Sequence, residues 1–357
     1  MKSSAFVFAL LGASVGSALA QSATTVYGVL DAGVVSERGC QGCATRVDSG
    51  IASESRLGVR GSEPLGDNLS AVYTLEAGVQ LDTGRSGQNG QLFGREANVG
   101  ISGKAGTVTV GRHPNLEYEA LTDVGDPFKG GMAGTATNLI GSGGRRVDNS
   151  IQYYSAEVNG VSAAASYGAG EVVGDRRANR AWGVSVGFEN GPLTIRAAHQ
   201  NRNVALVAPS TAMGNNTDAK NSILAANLRV GIATAYVAYS ASRGWGSSPL
   251  WNPDNPYGAG MASTPSTDSR DVLVGVAVPV GATTLLASYI RKNDRDLANQ
   301  DANQLAFGAT YAMSRRTDFY AAYSRITNRN GAGYTVGNAS SMGRGSSALN
   351  VGMRHAF

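Results

Sequence analysis

The stretch DVLVGVAVPV at residues 271–280 places Val272, Val274, Val276 and Val278 at every second position. Because successive side chains of a strand point to opposite faces, this alternation predicts a β-strand with one apolar face. Helical periodicity is nearly absent elsewhere, and turn-forming residues separate similar segments of about ten residues. The sequence therefore predicts an all-β fold. Further apolar stripes are Leu305, Phe307, Ala309, Tyr311 and Met313, and Leu349, Val351, Met353, His355 and Phe357.

The composition excludes several classes of protein. The 357 residues are 42% apolar and 16% charged, which is too apolar for a disordered chain. Past the N-terminus no apolar run approaches the roughly 18 residues that a membrane-spanning helix needs. The formal net charge is only +4 and basic residues form no compact block, so no nucleic-acid partner is expected.

The N-terminus has the layout of an export signal. Lys2 precedes the apolar run Ala5–Val15, and Ala18-Leu19-Ala20 has the small-x-small form that signal peptidase cleaves. Residues 1–20 are predicted to be a signal peptide, and residues 21–357 the mature domain. An uncleaved anchor helix is the alternative, although the apolar run is short and interrupted by glycines.

The connections between the strand-like segments alternate in length. Seven short connections and eight long ones give sixteen strands, an even number with both termini on the short-turn side. This layout predicts an antiparallel transmembrane β-barrel with short periplasmic turns and long extracellular loops, wide enough to hold water. The short connections lie near residues 63–68, 104–106, 157–160, 190–192, 229–231, 279–281 and 313–317.

Four segments carry a family resemblance. They are TVYGVLDAG at 25–33, SRLGVRG at 55–61, GTVTVGR at 106–112 and VGMRHAF at 351–357. In this order they resemble the general porins of Gram-negative outer membranes, in the β-proteobacterial subgroup. The resemblance implies a homotrimer in outer-membrane lipid, passive diffusion of small hydrophilic solutes and ions, and a third loop folded into the lumen. It also implies that Phe357 is a signal for the outer-membrane assembly machinery.

The longest gap between strand-like segments, residues 114–148, is the predicted constriction loop, because so long a stretch without regular structure is usually functional. A selectivity filter needs charged groups at a narrow point, where a passing ion feels each of them. The charged loop candidates are Glu117, Glu119, Asp123, Asp126 and Lys129. The wall candidates are Arg56, Arg60, Arg95, Arg112, Glu76, Asp31 and Gln152.

Alternation and resemblance disagree about two of these arginines. Arg95 shares its strand face with Ala97 and Val99, which point outward, so only a bulge or a position above the apolar band turns it inward. Arg112 meets the same objection, whereas the resemblance favours Arg95 as part of the constriction. Gln152 stands where relatives often carry a basic residue, so only a mild anion preference is predicted.

Other motifs point away from catalysis. Cys40 and Cys43 form a C-x-x-C in a predicted loop of an exported protein, which favours a disulfide. The three histidines are isolated, so neither an enzyme nor a metal or cofactor site is predicted. Three alternatives stay open: a substrate-selective outer-membrane channel, a barrel lipase or protease, and a secreted β-solenoid adhesin, which would show a repeat of fixed length.

Overall fold

The computed structural model describes residues 23–171, 173–177, 179–203, 218–249 and 266–357. The predicted signal peptide, residues 1–20, lies outside these ranges. Within the described ranges, no helix is long and apolar enough to cross a membrane. Eighteen strands in these ranges form one sheet. They are β1 Ala23–Arg38, β2 Thr45–Ser49, β3 Arg56–Gly66, β4 Leu69–Gln80, β5 Arg85–Ser86, β6 Glu96–Gly103, β7 Gly106–Pro114, β8 Arg146–Ser155, β9 Val161–Gly168, β10 Ala181–Asn190, β11 Leu193–Arg202, β12 Ala219–Val230, β13 Ala233–Gly244, β14 Asp268–Val280, β15 Thr283–Asp294, β16 Ala302–Ala312, β17 Thr317–Asn328 and β18 Ser347–Ala356.

The sheet closes on itself, because β1 pairs antiparallel with β18 from Val29↔Ala356 to Arg38↔Ser347. β2 and β3 both pair with β1 and together form one strand of the wall. β5 is a two-residue extension paired with the end of β4. Sixteen wall strands therefore remain, each antiparallel to its neighbours, and the predicted sixteen-stranded barrel is confirmed.

All seven predicted short connections lie at one rim of the barrel. Asp67 and Asn68, for example, join β3 to β4 with φ angles of +50° and +63°. Asp and Asn tolerate this left-handed region, which a tight hairpin turn requires at both central residues. The long connections lie at the opposite rim.

The two faces of the wall differ in chemistry. On β14 the exposed side chains of Val272 and Val274 point outward, while Leu273 between them is fully buried inside the barrel. Outward valines, leucines and aromatics recur on the other strands, as expected where a wall meets hydrocarbon. The apolar core lies inside the barrel, between its wall and a loop.

That loop, here called the third loop, spans residues 115–145 between β7 and β8. It contains short helical turns at Leu116–Glu119, Ala120–Gly125 and Ala136–Asn138, so it has more regular structure than the sequence predicts. Its apolar side chains join one buried cluster with inward residues of the wall, which holds the loop inside the lumen. The cluster includes Leu121, Val124, Phe128 and Ile140 from the loop, and Ile223, Ala225, Ala238, Leu273 and Ile290 from the wall.

Candidate functional site

Three guanidinium groups converge on the carboxylate of Glu54, just ahead of β3. Arg145 Nη1 lies 2.7 Å from Glu54 Oε1, and Arg146 Nη2 lies 2.8 Å from Oε2. Arg95 pairs with the same Oε2. These side chains are largely removed from solvent, where charges are tolerated only when closely paired.

Glu76, on β4, connects Arg56 to the same network. Its carboxylate accepts from Arg95 Nε at 2.6 Å and from the Tyr27 hydroxyl at 2.9 Å, and Arg56 Nε lies 3.4 Å away. Four arginines and two glutamates therefore share one connected set of ion pairs, a net charge of 4 − 2 = +2. We call these six residues the arginine network: Arg56, Arg95, Arg145, Arg146, Glu54 and Glu76.

Arg60 extends this positive surface along β3. It lies two residues beyond Arg56, on the same inward face, and its side chain is exposed to the lumen. Its guanidinium carbon lies 5.2 Å from the centre of the Tyr27 ring, a cation–π contact. Arg60 is thus an accessible cation beside the network.

The position of Arg95 explains why alternation misplaces it. β6 begins at Glu96, so Arg95 precedes the strand, and its backbone N–H donates to the Glu76 carbonyl at 3.2 Å. A residue outside the ladder is not bound to alternate with Ala97. Its side chain turns into the lumen.

The wall position predicted for Arg112 needs correction. Arg112 pairs with Ala97 in the β6–β7 register, on the outward side that Val110 also occupies. Its Nε donates to the Gly94 carbonyl at 2.7 Å, and Nη1 pairs with Asp148. Alternation holds here because Arg112 lies within the ladder, so it is not part of the arginine network.

Asp31 and Gln152 face inward as expected, but both are fully buried and neither lines open lumen. Asp31 accepts backbone N–H groups of Ala52 and Ser53 at 2.8 and 2.7 Å, which fixes the loop after β2. Gln152 donates to the Tyr154 hydroxyl at 3.0 Å beneath the root of the third loop. Both are corrections to the predicted pore lining.

The acids of the third loop turn away from open lumen. Burial, reinforced by the nearby charge of Asp271, raises the pKa of Glu117 to about 8, and no described group donates to either carboxylate oxygen. Burial raises the pKa of Glu119 to about 7, opposed by the hydrogen bond from Tyr154 at 2.9 Å. Glu117 is therefore mainly neutral near pH 7.

Asp126 organises the tip of the loop. Its carboxylate accepts backbone N–H groups of Phe128, Gly130 and Ala136, each at 2.9 Å, while burial raises its pKa to about 6. Asp123 and Lys129 alone among the five predicted loop residues have exposed side chains. The loop therefore offers one acid and one base of opposite sign to the channel.

Sequence reasoning missed several members of the site. Glu54, Arg145 and Arg146 were not predicted, although the adjacent arginines at the end of the third loop form a visible pair. Arg196, on β11, was also missed, and its charge acts on Glu119 and Asp123. Glu54 had no signal in the sequence, because only the folded loop brings Arg145 and Arg146 to it.

Two remaining predictions concern the edges of the barrel. Cys40 and Cys43 form a disulfide with a Cα–Cα distance of 5.3 Å in the loop after β1. Phe357 exchanges backbone hydrogen bonds of 3.1 and 3.2 Å with Gly28, and its ring lies on the outward face. Neither contributes to the lumen.

The chain resembles known channel proteins over most of its length. A family model described as Gram-negative porin matches residues 6–331. An outer membrane porin protein of Bordetella pertussis is 26% identical over 100% of both chains. In structure, the anion-selective porin from Comamonas acidovorans matches with a TM-score of 0.76 and 24% identity over 94% of this chain and 100% of that chain. The in-vitro folded OmpT of Vibrio cholerae in its trimer form gives a TM-score of 0.67 and 18% identity over 94% of this chain and 99% of that chain. The chain therefore belongs to the Gram-negative porin family, and its barrel is a water-filled diffusion channel of the outer membrane.

Proposed function

We propose that this diffusion channel mildly prefers small anions over cations, and that the arginine network and Arg60 set this preference. The single observation that carries the proposal is the imbalance of charge: the network holds four arginines against two glutamates. A net positive wall at a narrow point raises the local concentration of anions and lowers that of cations.

The third loop does not offset this charge. Glu117 and Asp126 are fully buried, and the exposed Asp123 is matched by the exposed Lys129. A cluster of carboxylates on the loop, facing the arginines, would instead attract cations into the same passage. The preference is mild because Glu54 and Glu76 already neutralise half of the four arginine charges.

The similarity to a porin described as anion-selective is consistent with this proposal. At 24% identity that likeness concerns the fold, so the argument depends on the charges of this chain.

The test is the reversal potential of the reconstituted protein in a planar bilayer with a KCl gradient. The wild type is expected to show a reversal potential of the sign set by chloride. The double variant Arg56→Gln, Arg60→Gln is expected to lose most of this preference. The matched control is Arg38→Gln, Arg325→Gln, which removes the same charge from the outward face and leaves the potential unchanged. A clear cation preference in the wild type would refute the proposal.

We further propose that the protein works as a homotrimer and is inserted by the outer-membrane assembly machinery through its final strand and Phe357. The trimer form of a structural relative and the apolar outward face of the wall are consistent with this assembly. Light scattering of the detergent-purified protein tests the trimer. Deletion of Phe357, followed by measurement of the amount of folded protein in the outer membrane, tests the signal.

We also propose that the barrel has no catalytic activity, since its charged groups form ion pairs rather than a nucleophile and base. Lipase and protease assays on the folded protein test this.

A further inference from the structure

The outward face of the barrel carries a row of polar residues near the rim of the long loops. Arg325 of β17 pairs with Ser347 of β18, and Ser347 pairs with Arg38 of β1. The two arginines therefore lie two strands apart, about 10 Å, with a hydroxyl between them. Arg38 ends β1 and Arg325 lies three residues before the end of β17, so both are near the membrane surface.

Two grooves adjoin this row on the outward face. One has a volume of about 240 Å³ and is lined by Arg38, Ser347 and Leu349, and by Tyr323 at the boundary. The other has a volume of about 420 Å³ and is lined by Tyr323 and Arg325, with further apolar residues. Because Tyr323 lines both, the grooves form one surface, here called the Arg38–Arg325 groove. The apolar residues of the second groove include Tyr289, Leu305 and Phe307.

The two arginines of this surface differ from those in the lumen. Each arginine of the arginine network contacts a carboxylate. Among the residues that the structure describes, neither Arg38 nor Arg325 has a carboxylate partner, and both side chains are exposed. An exposed guanidinium above an apolar, membrane-facing groove is complementary to an anionic headgroup with hydrocarbon tails.

We propose that the Arg38–Arg325 groove binds a phosphate-bearing lipid of the outer leaflet. The phosphate lies between the two guanidinium groups and the Ser347 hydroxyl, and acyl chains occupy the grooves on either side of Tyr323. Guanidinium groups bind phosphate oxygens through paired N–H donors, and aromatic rings at the level of the headgroups suit the interface. The lipid is favoured over a soluble anion because the apolar grooves would bind tails that a free anion lacks.

The test is native mass spectrometry of the detergent-purified protein with added lipid A that carries two phosphates. The wild type is expected to retain bound lipid, and Arg38→Gln, Arg325→Gln to bind it at least about tenfold more weakly. The matched control is Arg315→Gln, Arg316→Gln, in the short turn between β16 and β17, which removes the same charge at the opposite rim and is expected to bind like the wild type.

Three outcomes would overturn the proposal. The first is equal binding by the Arg38→Gln, Arg325→Gln variant. The second is equal binding of dephosphorylated lipid A, or full competition by excess inorganic phosphate, which would leave a site for tails alone or for a free anion. The third is dissociation of the oligomer in this variant, which would make the groove a contact between subunits. Because single-channel conductance depends on the lumen, it should be the same in both variants and independent of this result.

Discussion

Replacement of Glu117 by glutamine is expected to stabilise the protein at neutral pH. The Glu117 side chain lies in the root of the third loop, fully buried, with no described donor for either carboxylate oxygen. Asp271, itself paired with Lys292 at 3.3 Å, adds a negative charge nearby. Ionised Glu117 is therefore disfavoured by both burial and repulsion, whereas glutamine keeps the shape and carries no charge.

The size of the effect follows from the pKa. For Glu117 it rises from 4.5 in the unfolded chain to about 8 in the folded protein. An acid whose folded pKa is raised stabilises the fold fully below pH 4.5, and this contribution is lost as the pH rises to about 8. At about 1.36 kcal/mol per unit, the wild type has lost about 3 kcal/mol at pH 7 and about 5 kcal/mol above pH 8. The Glu117→Gln variant does not titrate at this position and escapes this loss.

The assay is thermal or denaturant unfolding of detergent-folded protein at a series of pH values. The stability difference between Glu117→Gln and the wild type should be near zero below pH 4.5 and should grow until about pH 8. Glu157→Gln, an exposed acid of a short turn, serves as the control and should leave the pH profile unchanged. A difference for Glu117→Gln that is constant with pH would refute the reasoning.

Two further variants test how the loops are held. Lys292→Met breaks a fully buried ion pair with Asp271 and should cost about 3–5 kcal/mol in the same unfolding assay. The double variant Lys292→Met, Asp271→Leu should recover most of that loss, and a double variant as unstable as the single one would contradict this account. Gly308→Val places a side chain where a Cβ atom would lie 2.8 Å from Phe128 Cε1, so it should displace the loop tip and raise single-channel conductance. Ala309→Val, on the outward face, is its control, and equal conductance in both variants would show that Phe128 does not fix the loop.

The fold could be predicted because its signal is local and repeated. The alternation in 271–280 alone identifies a two-faced strand, and the turn at Asp67 and Asn68 marks one rim of the barrel. Strand number then follows from counting connections, with no need for any long-range contact. β2 and β5 are the exceptions, since each is a short piece whose pairing depends on how a loop folds over β1 or β4.

The site could be predicted only in part, because direction and burial depend on contacts distant in sequence. Alternation was reliable for Arg112 inside a ladder and failed for Arg95, one residue outside it. Glu54 meets Arg145 across 91 positions of the chain, and no local pattern encodes such a contact. Asp126 was predicted as a charge for the pore, yet it accepts hydrogen bonds from its own loop.

The seat of the third loop and the charge of the channel have one cause. Small inward residues such as Ala225, Ala238 and Gly308 allow the apolar side of the loop to pack closely on one part of the wall. Close packing excludes water from Glu117, and its carboxyl stays neutral rather than adding a negative charge to the lumen. The opposing arginines keep their charge because Glu54 and Glu76 compensate only half of it. A bulkier wall beneath the loop would therefore change selectivity as well as conductance, since a lifted loop would return Glu117 to water and to its ionised form.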